Sequence, residues 1–493
     1  LSGWGGPAGP LRAAVVRVFP RPGPEVTPDY VAIAVRASDQ PERCQSWSVG
    51  GYRRGGQLGP AVPIAPGARV DKFEVFFDLV FVFSPFIITR ATAANISGRQ
   101  LLHAGLVLAV LWWIWVVHSL VATRVRLGEG YVPVLMVIAM VALFAFALAL
   151  PQAFSDPKGS AAGPMLVAIS YVVVRAVHMI LYQHVVRDSP HERRQLRRFA
   201  PELAVSIVLL LAAALIPPQI TDPDQAAMVR DGLWIAVVVV QYATGFIVGT
   251  WGWGVISAEH WTERYDLILI IALGESIIST GVGGNLLGKP VTWPAVAAAA
   301  LGIVVTAALW WAHFDFIGPA ARIALHAAEG GPRVAMARDA YAYLYLLMIA
   351  GVILFSIGNE EALHKITDPA GGIAEKVEGP AVPMLFGGLI CYFVVNLLFQ
   401  LRTLHTVTWT RIGVILVLAA ALPIGQHLPA LGALTLAAVI CVALVAVEVM
   451  VMSQSRHALR SAVFQERTTH EAHEAGWRAR WHDVRETDEP TTP

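Results

Sequence analysis

Charge is what this chain has least of. Only 14% of its 493 residues are Asp, Glu, Lys or Arg, against about a quarter in an ordinary soluble domain. A water-facing surface of normal size cannot be built from so few. With a net charge of +1, nothing suggests a nucleic-acid partner. Cysteine is nearly as scarce: Cys44, Cys391 and Cys441 stand far apart, which leaves no disulfide framework or zinc site to read. No glycine-rich loop runs into Lys-Ser or Lys-Thr, and no Gly-x-Ser-x-Gly turn occurs. Neither ATP-driven transport within this chain nor serine-hydrolase chemistry is indicated. No cofactor or metal is called for.

What the chain does contain is apolar sequence. Hydrophobic residues make up 56%, and the mean hydropathy is +0.59. They cluster in runs long enough to cross a bilayer, which takes about 20 helical residues. Twelve such spans are read at 73–90, 101–121, 132–151, 164–186, 200–217, 232–253, 265–283, 293–316, 340–358, 381–400, 410–426 and 430–452. The expected fold is an all-α polytopic membrane protein, and the bilayer is its first partner.

The two ends differ from this body. Residues 1–70 hold 10 Pro, 11 Gly and 8 Arg, a composition that favours disorder, and contain no run suited to a signal peptide. Residues 453–493 form a polar tail. Between the spans, Lys and Arg concentrate on one side, with five arginines from Arg187 to Arg198. The opposite loops carry acids, among them Asp222, Asp224, Asp231, Glu360 and Glu361. The positive-inside rule then places both termini in the cytoplasm.

The spans repeat. Phe77-Asp78-Leu79-Val80 in the first corresponds to Tyr265-Asp266-Leu267-Ile268 in the seventh. Leu111-Trp112-Trp113 in the second corresponds to Leu309-Trp310-Trp311 in the eighth, and similar matches follow through the fifth and eleventh. The order predicts two parallel six-helix units, at 71–253 and 254–452, an organisation familiar from transporters.

Ionisable residues inside the membrane are costly and mark partners or cavities. Glu275 lies about midway along the seventh span, with Ser279 and Thr280 one turn on, and could bind a proton or cation. Arg175 lies midway along the fourth span, with His178 on the same face. Aligning the repeats sets Glu275 against Ile87 and Arg175 against Asn396, so an ion pair between Glu275 and Arg175 is expected across the halves. Glu74 and Asp78, four apart on the first span, share a face, and Pro85 should kink that helix. Each of these has a plainer reading as packing or capping. Trp112, Trp113, Trp115, Trp310 and Trp311 are most simply interfacial, and Glu448, one turn from a span end, is expected to reach water.

Two stretches carry a family resemblance. Lys72-Phe73-Glu74-Val75-Phe76-Phe77-Asp78-Leu79-Val80-Phe81 resembles the opening signature of the bacterial low temperature requirement A family. Glu259-His260-Trp261-Thr262-Glu263-Arg264-Tyr265, followed by Leu273-Gly274-Glu275-Ser276, is similar to its central signature. The resemblance covers about residues 70 to 450. It implies a membrane protein linked by name to growth in the cold and marks Glu74, Phe77, Asp78, Glu259, His260, Glu263, Arg264, Gly274 and Glu275. It supplies no mechanism. A fainter likeness, carried by the aromatic-Asp pair and by Trp115 and His118, is to two-repeat potassium channels with six helices per repeat.

The function these readings favour is secondary transport or ion conduction in the cytoplasmic membrane, with Glu275, Arg175, Asp78, Glu74, His178 and Ser279 in the path. Glu259, His260, Glu263 and Arg264 form a motif at the cytoplasmic end. The alternatives are an enzyme acting on lipid, with His178, His260 or His313 as base, and a sensor or scaffold working through the tail. The solute or ion and the oligomeric state stay open.

Overall fold

A computed structural model describes residues 70–154, 161–186, 190–247, 257–283, 292–367, 379–453, 456–461, 463–464 and 468. The Gly/Pro-rich stretch up to residue 69, the boundary between the two proposed repeats at 253–254 and most of the tail lie outside the described residues. In a bilayer core every backbone amide must bond within the protein, which favours helices, and no β-strand occurs among the described residues.

The helices are α1 (Lys72–Ala93), α2 (Gly98–Ala122), α3 (Val132–Ala149), α4 (Ala162–Val186), α5 (Pro190–Leu215), α6 (Pro223–Ile247) and α7 (Ala258–Gly283). They continue with α8 (Trp293–Phe314), α9 (Ile317–Ala327), α10 (Gly330–Met336), α11 (Tyr345–Thr367), α12 (Ala381–Leu404), α13 (Trp409–Gly425) and α14 (Ala430–Val451). Among the described residues, eleven helical stretches are long and apolar enough to span a membrane, and α13 is a shorter apolar helix of 17 residues. Each sequence-read span falls on one of them. A π-helical turn, Ala337–Leu344, leads into α11.

Local signals set several starts. The Ser97 hydroxyl accepts from the Gln100 amide at 3.2 Å at the head of α2, and Thr292 accepts from Ala295 at 3.4 Å at the head of α8, as N-caps do. Pro85 lies inside α1 as read. Two span limits fall short of the structure. Helix α11 runs on to Thr367, so Glu360 and Glu361 are helical residues, and α6 begins at Pro223, which puts Asp231 inside it. There Asp231 accepts from Arg99 at 3.0 Å and lies 2.9 Å from His103.

The chain packs in a regular order. Helix α1 lies against α2 and α3, α3 against α4, α4 against α5, α5 against α6, and α6 against α2. Likewise α7 lies against α8 and α11, α11 against α12, α12 against α13, α13 against α14, and α14 against α8. The two sets meet where α1 crosses α7 and α11. Helices α11 and α12 approach most closely, through glycine: a Cβ on Gly351 would sit 2.8 Å from the Tyr392 amide nitrogen, and one on Gly358 or Gly388 would run into the facing backbone. Such close approach needs small residues. Outward positions such as Val141, Val208, Leu416 and Val439 are exposed aliphatics, the surface that hydrocarbon would cover.

The tryptophans divide. Trp112, Trp113 and Trp115 are buried in the bundle, against the interfacial reading, whereas Trp293, Trp310 and Trp409 are exposed.

Candidate functional site

The two signature stretches meet in one buried cluster. Helix periodicity puts Glu74 and Asp78 on one face of α1 and His260 and Arg264 on one face of α7, and α1 packs on α7. The Arg264 guanidinium donates to Glu74 Oε2 at 2.7 Å and to Asp78 Oδ1 at 2.8 Å. Its Nε donates to the Ser119 hydroxyl of α2 at 3.3 Å. His260 Nε2 lies 3.0 Å from Glu74 Oε2, and Trp115 Nε1 donates to Asp78 Oδ1 at 2.8 Å. All of these side chains are essentially inaccessible. Two acids share one arginine, and Asp78 Oδ2 is buried without a partner. The cluster therefore holds two acids against a single arginine, with His260 beside Glu74. Glu263 stands at its edge, accepting from the Val70 amide at 3.1 Å, and Glu259 sits half-buried in the first turn of α7.

Glu275 lies further along α7, 2% exposed. Eleven residues separate it from Arg264, about 16 Å of helix rise. Its carboxylate accepts from the hydroxyls of Ser279, one turn on, and of Ser356 on α11 at 3.4 Å. Among the described residues no basic side chain pairs with it. Polar side chains continue from there towards the end of α11. Asn359 donates to the Thr280 hydroxyl at 2.7 Å, and Glu360 lies beside Asn359, 4.0 Å from Arg90 of α1. Gly274, marked by the family resemblance, has open space where a Cβ would be.

The expected ion pair between Arg175 and Glu275 is not formed. Arg175 on α4 instead donates to Glu202 Oε2 of α5 at 2.9 Å. Glu202 also receives Trp113 Nε1 at 3.2 Å and the Ser206 hydroxyl at 3.3 Å. Because α5 starts at Pro190, Glu202 lies three turns inside the helix instead of at a span end, and this is why the sequence reading passed it over. His178 lies beside this pair, its ring 5.5 Å from that of His118; all four of their ring nitrogens are buried without partners.

A third network went unread. Arg411 on α13 donates to Glu448 Oε1 of α14 at 2.9 Å and to the Asn396 side chain of α12. Asn396 lies 3.0 Å from His313 Nδ1, and His313 Nε2 lies 2.9 Å from the Tyr345 hydroxyl. Tyr345 in turn donates to Asp266 at 3.3 Å. Glu448 is 2% exposed, which corrects the expectation that it reaches water. Arg411 stands at the second position of the span read at 410–426, where an arginine ordinarily reaches water, so its place at the end of the span hid it.

The fold is that of a multi-pass α-helical membrane protein that buries several acids and bases inside the bundle. Comparison with known families agrees: the Bacterial low temperature requirement A protein family matches residues 69–446, and the chain belongs to that family. It is similar to an uncharacterized protein of Rhizobium meliloti (strain 1021), 26% identical over 302 residues, covering 59% of this chain and 68% of that one. No solved structure matches.

Proposed function

We propose that this chain is a secondary transporter or ion-conducting protein of the cytoplasmic membrane, and that Glu275 binds the moving proton or cation. The observation that carries this reading is a buried carboxylate in the membrane-spanning part of α7, held by two serine hydroxyls with no basic partner among the described residues. A lone carboxylate in low dielectric is stable only with a bound proton or cation. Hydroxyls beside it add neutral oxygen ligands, which suit either occupant.

The remaining charges fit supporting roles. The Glu74–Asp78–Arg264–His260 cluster sits on the same two helices nearer their starts and can take or release one proton. Arg175 and Glu202 neutralise each other at a distance from that line. Organisation as two parallel six-helix repeats, with both termini cytoplasmic, is part of the same reading. It is supported by the shared order of helix neighbours in α1–α6 and in α7, α8 and α11–α14. The histidines available to a lipid-directed enzyme, His178, His260 and His313, belong to three different networks, which favours ion movement.

A carbodiimide that modifies protonated buried carboxylates tests the assignment. Labelling should fall on Glu275, slow when the transported cation is added, and vanish from that position in Glu275→Gln. Labelling elsewhere, or labelling indifferent to H+, Na+ and K+, would remove Glu275 from the path.

A further inference from the structure

The polar line that leaves Glu275 ends on a second acid. The pairings Tyr345 with Asp266, Ser356 with Glu275 and Asn359 with Thr280 advance together along the chain, so α7 and α11 run the same way. On α11, Ser356, Asn359 and Glu360 are spaced three and four apart and share one face. Glu360 therefore sits one turn, about 6 Å of rise, beyond the serine that holds Glu275. The two carboxylates are within electrostatic reach of each other, and Thr89 of α1 lies against Glu275 from a third helix.

Two oxygens on this stretch lack donors. Asn359 donates to the Thr280 hydroxyl, but its Oδ1 is buried without a partner, and so is Glu360 Oε2. An amide oxygen and a carboxylate oxygen carry no hydrogen and only accept. Buried acceptors in that state call for a proton or a cation. Helix α8 makes the room for them: a Cβ on Gly302 would come within 2.9 Å of the Asn359 amide nitrogen. Glu360 is 7% exposed, and the base paired with it, Arg90, stands off at 4.0 Å with its side chain 42% exposed. A pair that long and that wet is weak and easily displaced. Glu361, next in the chain, adds negative charge beside it.

We propose that Glu360 is a second binding station for the proton or monovalent cation that Glu275 carries, with Asn359 between the two. Arg90 is its counterion when the station is empty, and moves out towards water as the ion arrives. This inference rests on the Glu275 reading.

Flux of H+, Na+ and K+ into liposomes would be measured for wild type, Glu275→Gln, Glu360→Gln, Glu360→Asp and Arg90→Gln. Glu360→Gln should slow the flux at least tenfold, while protection of Glu275 from carbodiimide by the same ion, measured in detergent, stays within threefold of wild type. Glu360→Asp should recover part of the flux. Arg90→Gln should act the other way: the ion concentration for half-maximal flux should fall at least threefold, because Glu360 loses its competitor. An ion pair that only braces the helices would give losses of the same kind from either side. If Glu360→Gln does not fold, Gly302→Ala, which displaces Asn359 without removing a charge, should also slow the flux. Flux lost in Glu275→Gln but intact in Glu360→Gln, protection of Glu275 lost in Glu360→Gln, or a half-saturation in Arg90→Gln that does not fall would each overturn the second station and leave Glu275 standing. Flux indifferent to Glu275→Gln would remove both.

Discussion

Arg264 and Glu74 stand 190 residues apart in the chain and 2.7 Å apart in the fold. This contact, with the one from Arg264 to Asp78, ties α1 to α7. It also explains why the two signature stretches occur together: each supplies charges that the other must neutralise away from water.

Removing Arg264 alone should therefore be severe. Arg264→Met leaves two buried acids uncompensated, a loss of about 3–5 kcal/mol for a broken buried pair. Thermal unfolding in detergent would show it. Adding Glu74→Gln and Asp78→Asn to the same chain should restore most of the loss. An Arg264→Met protein as stable as wild type would show that the cluster does not join the helices.

Trp115→Phe keeps the ring but deletes the donor to Asp78. Hydrogen bonds to charged groups are worth about 1.5–3 kcal/mol, so a loss in that range is expected. The loss should shrink to about 0.5–1.5 kcal/mol in an Asp78→Asn background, where the acceptor is no longer an anion.

Arg175 and Glu202 should be coupled to each other and not to Glu275. A double-mutant cycle of Arg175→Gln with Glu202→Gln should give an interaction energy within the 0.5–3 kcal/mol typical of contacting residues. The same cycle with Glu275→Gln should be additive within about 0.5 kcal/mol.

Gly387 and Gly388 are neighbours on α12 with opposite surroundings. A Cβ at Gly388 would run into the Phe355 backbone of α11, and one at Gly387 meets nothing within 4 Å. Gly388→Ala should cost about 1–3 kcal/mol by overpacking. Gly387→Ala should be neutral or slightly stabilising, because alanine favours helix. Melting temperatures of the two purified variants would separate them.

The spans were legible because a bilayer demands long apolar runs, and those runs coincide with the helices. What was lost lay at their ends. Reading α11 as stopping near residue 358 turned Glu360 into a loop acid, and starting α5 near residue 200 hid Glu202 from Arg175. Charge partners were hard to assign for a related reason. Periodicity says which residues of one helix share a face, but not which helix that face meets. The likeness of Glu74, Asp78, His260 and Arg264 to family signatures singled out these residues without saying that they touch. Tryptophan misled in the other direction. Its usual place at an interface concealed the donors that Trp113 and Trp115 supply to buried acids.

The central claim, that Glu275 carries an ion through the bundle, is tested most directly by flux. Purified protein in liposomes containing a pH-sensitive dye would be exposed in turn to H+, Na+ and K+ gradients, with Glu275→Gln in parallel. Wild type should dissipate one of these gradients, and the variant, inserted and folded equally well, should not. Flux unchanged in Glu275→Gln, or no flux of any of the three ions through folded wild type, would contradict the account.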